Sequence, residues 1–192
     1  MFSVVVLISG GGSNLLALLK ASENPLYPAK IVAVGSDKDA EGLSHAELFE
    51  VDTFVVDPNR FATKQAWGEK LLANIEHHKP DLVVLAGFMK ILPANVVKAL
   101  SGRLINTHPS LLPLFPGAHA VRDALAAKAS ETGVTIHKVD EGVDTGEIIV
   151  QRQVSIEAGD DEVKLHEKIK VIERDLLVQT VAQIATKEIV LG

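Results

Sequence analysis

A mostly parallel, twisted α/β sheet with helices on both faces is the fold the sequence predicts, and three observations carry it. Short apolar runs such as Val4-Val5-Val6-Leu7-Ile8 and Leu82-Val83-Val84-Leu85-Ala86 are continuous rather than alternating, the pattern of strands buried on both sides. Helical stretches separate them up to Asn106, giving βαβαβαβαβ, which closes most simply into a parallel sheet. A long helical stretch then ends the chain, from about Asp161 to Ala185, with Leu165, Ile169, Ile172 and Leu176 as its apolar stripe.

Taken in order, the first strand is Val4 to Ile8, followed by the loop Ser9-Gly10-Gly11-Gly12-Ser13-Asn14 and a helix through Leu15–Leu19. Ile31–Val34 reads as the second strand, Ser44–Glu50 as part of a short helix and Phe54–Val56 as the third strand. Asp57-Pro58-Asn59 is a turn. Trp67, Leu71 and Ile75, four apart, mark one face of a helix ending near His78, where Lys79-Pro80-Asp81 breaks it. The fourth strand, 82–86, leads through the turn 87–93 into a helix near Ala94 to Leu100. Strand five is Leu104 to Asn106, and Pro109 cannot extend its ladder. A helix near Ala120 to Ala129 precedes two further strands, Val134–His137 and Ile148–Val150, joined by the acidic, glycine-rich loop 140–146. No repeat, linker or low-complexity segment divides residues 1–192, so a single domain is expected.

Composition narrows the function. The chain is 47% hydrophobic and 23% charged, ordinary for a globular protein. It has no cysteine, which removes disulfides and thiolate metal sites and suits the cytoplasm. A net charge of −6 without a basic tract argues against a nucleic-acid partner. No apolar run approaches the ~18 residues of a membrane span, and Met1-Phe2-Ser3-Val4 does not open like a signal peptide. Small-molecule substrates are the expected partners.

Three segments carry candidate chemistry. The loop 10–14 joins a strand to a helix, where glycine backbone N–H groups and a helix N-terminus favour an anion, and Ser13 and Asn14 could cap the helix. Phosphate binding, a structural glycine turn and dinucleotide binding all remain open for this loop. The dinucleotide fingerprint lacks its third glycine, because residue 15 is leucine, but Asp37 ends the second strand where a ribose-binding acid would sit. Period-two alternation puts Asn106 and His108 on one side of the fifth strand's end, an amide donor beside a proton carrier. Ligands of parallel sheets bind beyond the carboxyl ends of strands, so loops 10–14, 87–92 and 106–108 collect on one rim. Asp144 reads as a turn acid unless its loop folds back to that rim, where it could charge-stabilise His108. His137 reads as a structural histidine, and His77, His78 and His119 as surface residues.

Together these segments carry a resemblance. Gly10-Gly11-Gly12-Ser13-Asn14, Asn106-Thr107-His108-Pro109-Ser110-Leu111-Leu112-Pro113 and Gly133-Val134-Thr135-Ile136-His137 through Asp144-Thr145-Gly146 resemble the phosphoribosylglycinamide formyltransferases, over nearly the whole chain. The resemblance implies a Rossmann-like formyltransferase fold and transfer of a formyl group from 10-formyltetrahydrofolate to the amine of glycinamide ribonucleotide, with no metal. It implies a catalytic set of Asn106, His108 and Asp144. Gly12, Ser13 and Asn14 would hold the ribonucleotide phosphate, Glu173 would reach the ribose and Pro109 would lie along the substrate. Lys64, Met89, Lys90, Ile91, Leu92, Asn106 and the stretch Glu141, Gly142, Val143, Asp144 would meet the folate. Two positions depart from the commoner family pattern: Lys90 stands for arginine, keeping the charge without the bidentate fork, and Leu114 for lysine. Relatives with the same catalytic set frame the alternatives. A methionyl-tRNA formyltransferase would carry a further domain and a basic surface. A formyltetrahydrofolate hydrolase would release formate without an amine. A non-catalytic nucleotide-binding module would use only the glycine loop.

Overall fold

The computed structural model describes residues 1–192. Its strands are β1 (Phe2–Ile8), β2 (Ala29–Ser36), β3 (Asp52–Val55), β4 (Leu82–Leu85), β5 (Leu104–His108), β6 (Glu131–Lys138) and β7 (Ile148–Ser155). The helices are α1 (Ser13–Ser22), α2 (Leu43–Leu48), α3 (Lys64–His77), α4 (Ala94–Ala99), α5 (Ala120–Ala126) and α6 (Glu162–Ala185), with a 3-10 turn at Pro58–Arg60. All seven strands form one sheet in the order β3-β2-β1-β4-β5-β6-β7. Pairing is parallel from β3 to β5 and antiparallel for β6 and β7.

The continuous apolar runs behave as two-sided strands. Val4, Val6 and Ile8 of β1 pack with Leu15, Leu18 and Leu19 of α1 and with Leu165, Ile169 and Leu177 of α6. Val5 and Leu7 face the other way, against Trp67, Leu71 and Ile75 of α3 and Val96 and Val97 of α4. Two apolar layers therefore clamp one sheet, and hydrophobic burial fixes its register from both sides. Thr63 caps α3, accepting from the Ala66 N–H at 3.1 Å, and Asp161 caps α6, accepting from Lys164 at 2.8 Å. In α6 the stripe of Leu165, Ile169 and Leu176 is buried as expected, with Ile172 only partly covered.

Several boundaries differ from the sequence expectation, β2, β3, α5 and β6 among them, and for β5 and β7 pairing supplies the reason. Strand β5 runs to His108 rather than stopping at Asn106, because residues 105–108 pair antiparallel with β6, Asn106 opposite His137 and His108 opposite Thr135. Strand β7 runs to Ser155 through Gln151, Arg152 and Gln153, polar residues of an edge strand that a search for apolar runs does not detect.

The strand order reverses between the parallel neighbours β1 and β4, so the loops after them diverge and leave a crevice at the carboxyl rim. The loop after β4 is tied to β1's end: Ser9 N–H donates to the Gly87 carbonyl at 3.1 Å, and Met89 N–H to Ser9 Oγ at 2.8 Å. Below it Trp67, the only tryptophan, stacks on Phe88 with ring centres 6.5 Å apart and donates Nε1–H to the Val56 carbonyl at 2.8 Å. Trp67→Phe should therefore orphan a buried carbonyl and cost about 1–2 kcal/mol, and Trp67→Ala about 3–5 kcal/mol through the added cavity. Urea unfolding followed by circular dichroism reads both, and a wild-type midpoint for Trp67→Ala would contradict this packing.

Candidate functional site

At the rim beyond β4 and β5 lies a cavity of about 220 Å³. Asn106, His108 and Pro109 line it from β5, and Gly87 to Leu92 from the loop after β4. Gly142, Val143 and Asp144 line it from the loop between β6 and β7. The loop 140–146 does fold back to the rim. It is closed by Asp140, whose Oδ1 accepts from the Gly142 N–H at 3.0 Å and from Thr145 Oγ at 2.7 Å, an Asx-type turn. Asp144 itself adopts the left-handed region, φ 55°, which aspartate tolerates better than most side chains.

Asp144 is the hub. Its Oδ2 accepts the Gly117 N–H at 2.8 Å and lies 3.4 Å from His108 Nδ1. Its Oδ1 lies 3.6 Å from His137 Nε2 and 3.5 Å from Asn106 Nδ2. Contact with the His137 ring lowers its pKa most, with burial opposing, and the Gly117 N–H and the charges of His108 and His137 lower it further. The result is a carboxylate held below its usual range.

The ring nitrogens have defined partners. His108 Nε2 lies 2.8 Å from the Phe115 carbonyl, which can only accept, so Nε2 carries a proton. Its Nδ1 faces the Asp144 carboxylate, another acceptor, so the doubly protonated ring satisfies both contacts. His137 Nδ1 lies 2.8 Å from the Lys138 carbonyl and must donate to it. When the ring is neutral, Nε2 accepts from Asn106 Nδ2 at 3.1 Å, and when it is protonated, Nε2–H faces Asp144 Oδ1 at 3.6 Å; in both cases the Asn106 NH2 group lies between His137 and Asp144. His137 is 2% exposed with partners at both ring nitrogens, as a structural histidine would be, and those partners place it in the cluster around Asn106 and Asp144. The signal was the alternation Val134-Thr135-Ile136-His137: Val134 and Ile136 enter the core, which turns Thr135 and His137 to the face of Asn106 and His108.

The remaining expected residues fall in three places. Met89 and Ile91 are 71% and 60% exposed, an apolar lip on the cavity, while Leu92 is buried. Lys90 lines the same lip, its Nζ 4.0 Å from Asp37 Oδ2. Lys64, at the start of α3, borders a neighbouring depression that shares Met89, Lys90 and Ile91, and Glu141 is exposed outside the cavity wall. Glu173 is buried in the apolar stripe of α6, where its Oε1 accepts from Thr107 Oγ at 2.8 Å on the opposite face of β5. Gly12, Ser13 and Asn14 form the β1–α1 turn. Neither Ser13 nor Asn14 caps α1: the cap position is Gly12, with φ 69°, and no side chain bonds there. Asn14 is buried with its Oδ1 unpartnered. His78, expected at the surface, is partly covered, stacking on Phe54 and lying 4.0 Å from Asp52. No helix is long and apolar enough to cross a membrane, and no group of three or more His, Cys, Asp or Glu side chains is placed to hold a metal ion.

A doubly wound sheet with a glycine turn after β1 and a cavity of apolar wall and a few convergent polar groups beyond β4 and β5 defines a small-ligand α/β protein of the Rossmann-like class. The comparisons narrow this class. The formyl transferase profile matches residues 2–181. A phosphoribosylglycinamide formyltransferase of Mycobacterium tuberculosis is 48% identical over 183 residues, covering 95% of this chain and 85% of the relative. One from Escherichia coli is 42% identical over 161 residues, covering 83% of this chain and 76% of the relative. The crystal structure of glycinamide ribonucleotide transformylase 1 from Symbiobacterium toebii superposes with a TM-score of 0.96 at 35% identity, covering 100% of this chain and 91% of that one. The chain belongs to the formyl transferase family.

The depressed pKa of Asp144 has a consequence for stability. A carboxyl whose folded-state pKa lies below its unfolded value stabilises the fold at pH values above the unfolded pKa of about 4, and that contribution is lost as pH falls through the folded pKa. Asp144→Asn should therefore melt below wild type at pH 7, and the gap should narrow as pH drops below about 4. Thermal melts across that range check it, and a gap independent of pH would contradict the assigned charge interactions.

Proposed function

We propose that this chain transfers the formyl group of 10-formyltetrahydrofolate to the amine of N1-(5-phospho-D-ribosyl)glycinamide. The products are the N-formyl ribonucleotide and tetrahydrofolate, in de novo purine (IMP) biosynthesis. The observation that carries the reading is the convergence of Asn106, His108 and Asp144 on one cavity, within a chain 48% identical to a phosphoribosylglycinamide formyltransferase. Residues 1–192 act as one formyltransferase domain, in the cytoplasm. Its acidic balance favours small substrates over nucleic acid.

The substrate amine attacks the formyl carbon, and the carbonyl oxygen becomes an oxyanion. Preorganised donors at that oxygen are commonly the largest catalytic contribution. Asn106 supplies one from the N–H that faces Asp144 only at 3.5 Å, its other N–H being held by His137. His108 supplies the second from Nε2–H, which requires the Phe115 carbonyl to release it, because in the resting geometry that proton is engaged at 2.8 Å. The carbon–N10 bond of the folate then breaks, with a proton leaving the attacking amine and one arriving at N10. His108, or a water held by this polar set, relays it. Asp144 favours the imidazolium and orients it. Met89, Ile91, Leu92 and Val143 offer apolar surface to the folate ring system, with Gly142 and Glu141 in the same loop and Lys90 and Lys64 supplying charge at the rim. Gly12, Ser13 and Asn14 hold the phosphate, Pro109 lies along the ribonucleotide, and Glu173 approaches the ribose.

Mixing the protein with 10-formyltetrahydrofolate and measuring tetrahydrofolate release separates the readings. Release should require the ribonucleotide amine and be stoichiometric with N-formyl product. Equal release without the amine would establish a hydrolase, and tight nucleotide binding without release would establish a binding module.

A further inference from the structure

The glycine loop does not hold its own shape. Gly10 accepts a hydrogen bond from the Gly42 N–H at 3.0 Å. Gly11 carbonyl lies 3.1 Å from His45 Nε2, and since a carbonyl only accepts, that nitrogen is the donor. A trans peptide points its C=O and N–H in opposite directions. Tying the Gly10 carbonyl to Gly42 therefore turns the Gly11 N–H away from this segment, and tying the Gly11 carbonyl to His45 turns the Gly12 N–H the same way. Neither N–H donates to any acceptor in the protein. With Gly12 left-handed at φ 69°, these two groups and the free N–H groups of the first turn of α1 make the concave array of donors that binds anions. The fit between loop and clasp is close. A Cβ at Gly42 would lie 2.8 Å from the Gly10 carbonyl, and one at Gly12 would lie 3.0 Å from the Gly42 Cα.

We propose that His45 is a positioning residue for the phosphate of the ribonucleotide: its Nε2–H, with the Gly42 N–H, pulls two loop carbonyls back so that the N–H groups of Gly11 and Gly12 face the anion. The inference rests on the reading of the loop as the phosphate site. His45 need not touch the substrate, because its effect is carried by the direction of a peptide. The bond needs a donor at that place and not a positive charge, since the neutral ring protonated on Nε2 donates as the cation does. A glutamine amide reaches a similar distance from the backbone and carries no charge.

The experiment compares wild type, His45→Ala and His45→Gln, with inorganic phosphate as the direct probe and steady-state formyl transfer as the second readout. In His45→Ala the Kd for phosphate and the KM for the ribonucleotide should rise together, on the order of tenfold, as for loss of one hydrogen bond. The kcat at saturating ribonucleotide and the KM for the folate should stay at wild-type values. His45→Gln should restore both affinities. Wild-type phosphate affinity in His45→Ala overturns the proposal, as does absence of phosphate binding by the wild type. If His45→Gln is as weak as His45→Ala at wild-type melting temperature, charge rather than peptide direction is responsible, and the proposal also fails. A phosphate titration that moves as expected in a protein without formyl transfer would sink the transferase reading and leave this inference standing.

Discussion

A carboxylate taken out of bulk water is costly unless donors surround it, and the rim of this sheet is arranged around meeting that cost at Asp144. The Gly117 N–H, His108, His137 and Asn106 approach its two oxygens from three chain segments that are distant in sequence. Removing the carboxylate would leave two imidazoles and an amide without their shared acceptor. Both imidazoles also have a second, backbone-defined partner: Phe115 for His108 and Lys138 for His137. One nitrogen of each ring is thereby fixed as a donor by a group that cannot change protonation.

The sheet makes this convergence possible. Parallel strands β1, β4 and β5 deliver their following loops to one rim, and the switch between β1 and β4 opens the crevice. The antiparallel pair β6 and β7 then brings His137 opposite Asn106 and carries Asp144 back on the connecting loop. Burial on both faces, by α1 and α6 on one side and α3 and α4 on the other, sets the register that keeps Asn106 and His108 facing the cavity. Thr107, between them, turns inward and meets Glu173 of α6, which ties the last helix to the same strand.

The parallel half of the fold was legible because two-sided burial writes itself as unbroken apolar runs, as in residues 4–8 and 82–85. Strand β7 and the end of β5 were less so, since their polar residues obey pairing rather than composition. Asn106, His108 and Asp144 could be singled out by residue type, motif and position on the rim. The place of His137 depends on antiparallel register, which links residues 31 apart. The Phe115 carbonyl and the clasp from Gly42 and His45 are backbone contacts, and no side-chain pattern announces a backbone acceptor. Ser13 and Asn14 were expected to cap α1, but the left-handed Gly12 took that position and left their side chains inside the first turn.

The central claim is that Asp144 acts through its charge on His108 while Asn106 acts as a neutral donor. The pH dependence of kcat in Asp144→Asn, set beside that of Asn106→Ala, tests it most directly. For Asp144→Asn, kcat should fall on the order of 10²-fold or more, as for loss of one transition-state donor, with little change in ribonucleotide KM. The pH above which kcat declines should move down, because the imidazolium has lost its anionic neighbour. Asn106→Ala should lower kcat with that pH nearly unmoved, since an amide does not titrate. A near-normal kcat and an unchanged profile in Asp144→Asn would contradict the account and return Asp144 to the role of a turn residue.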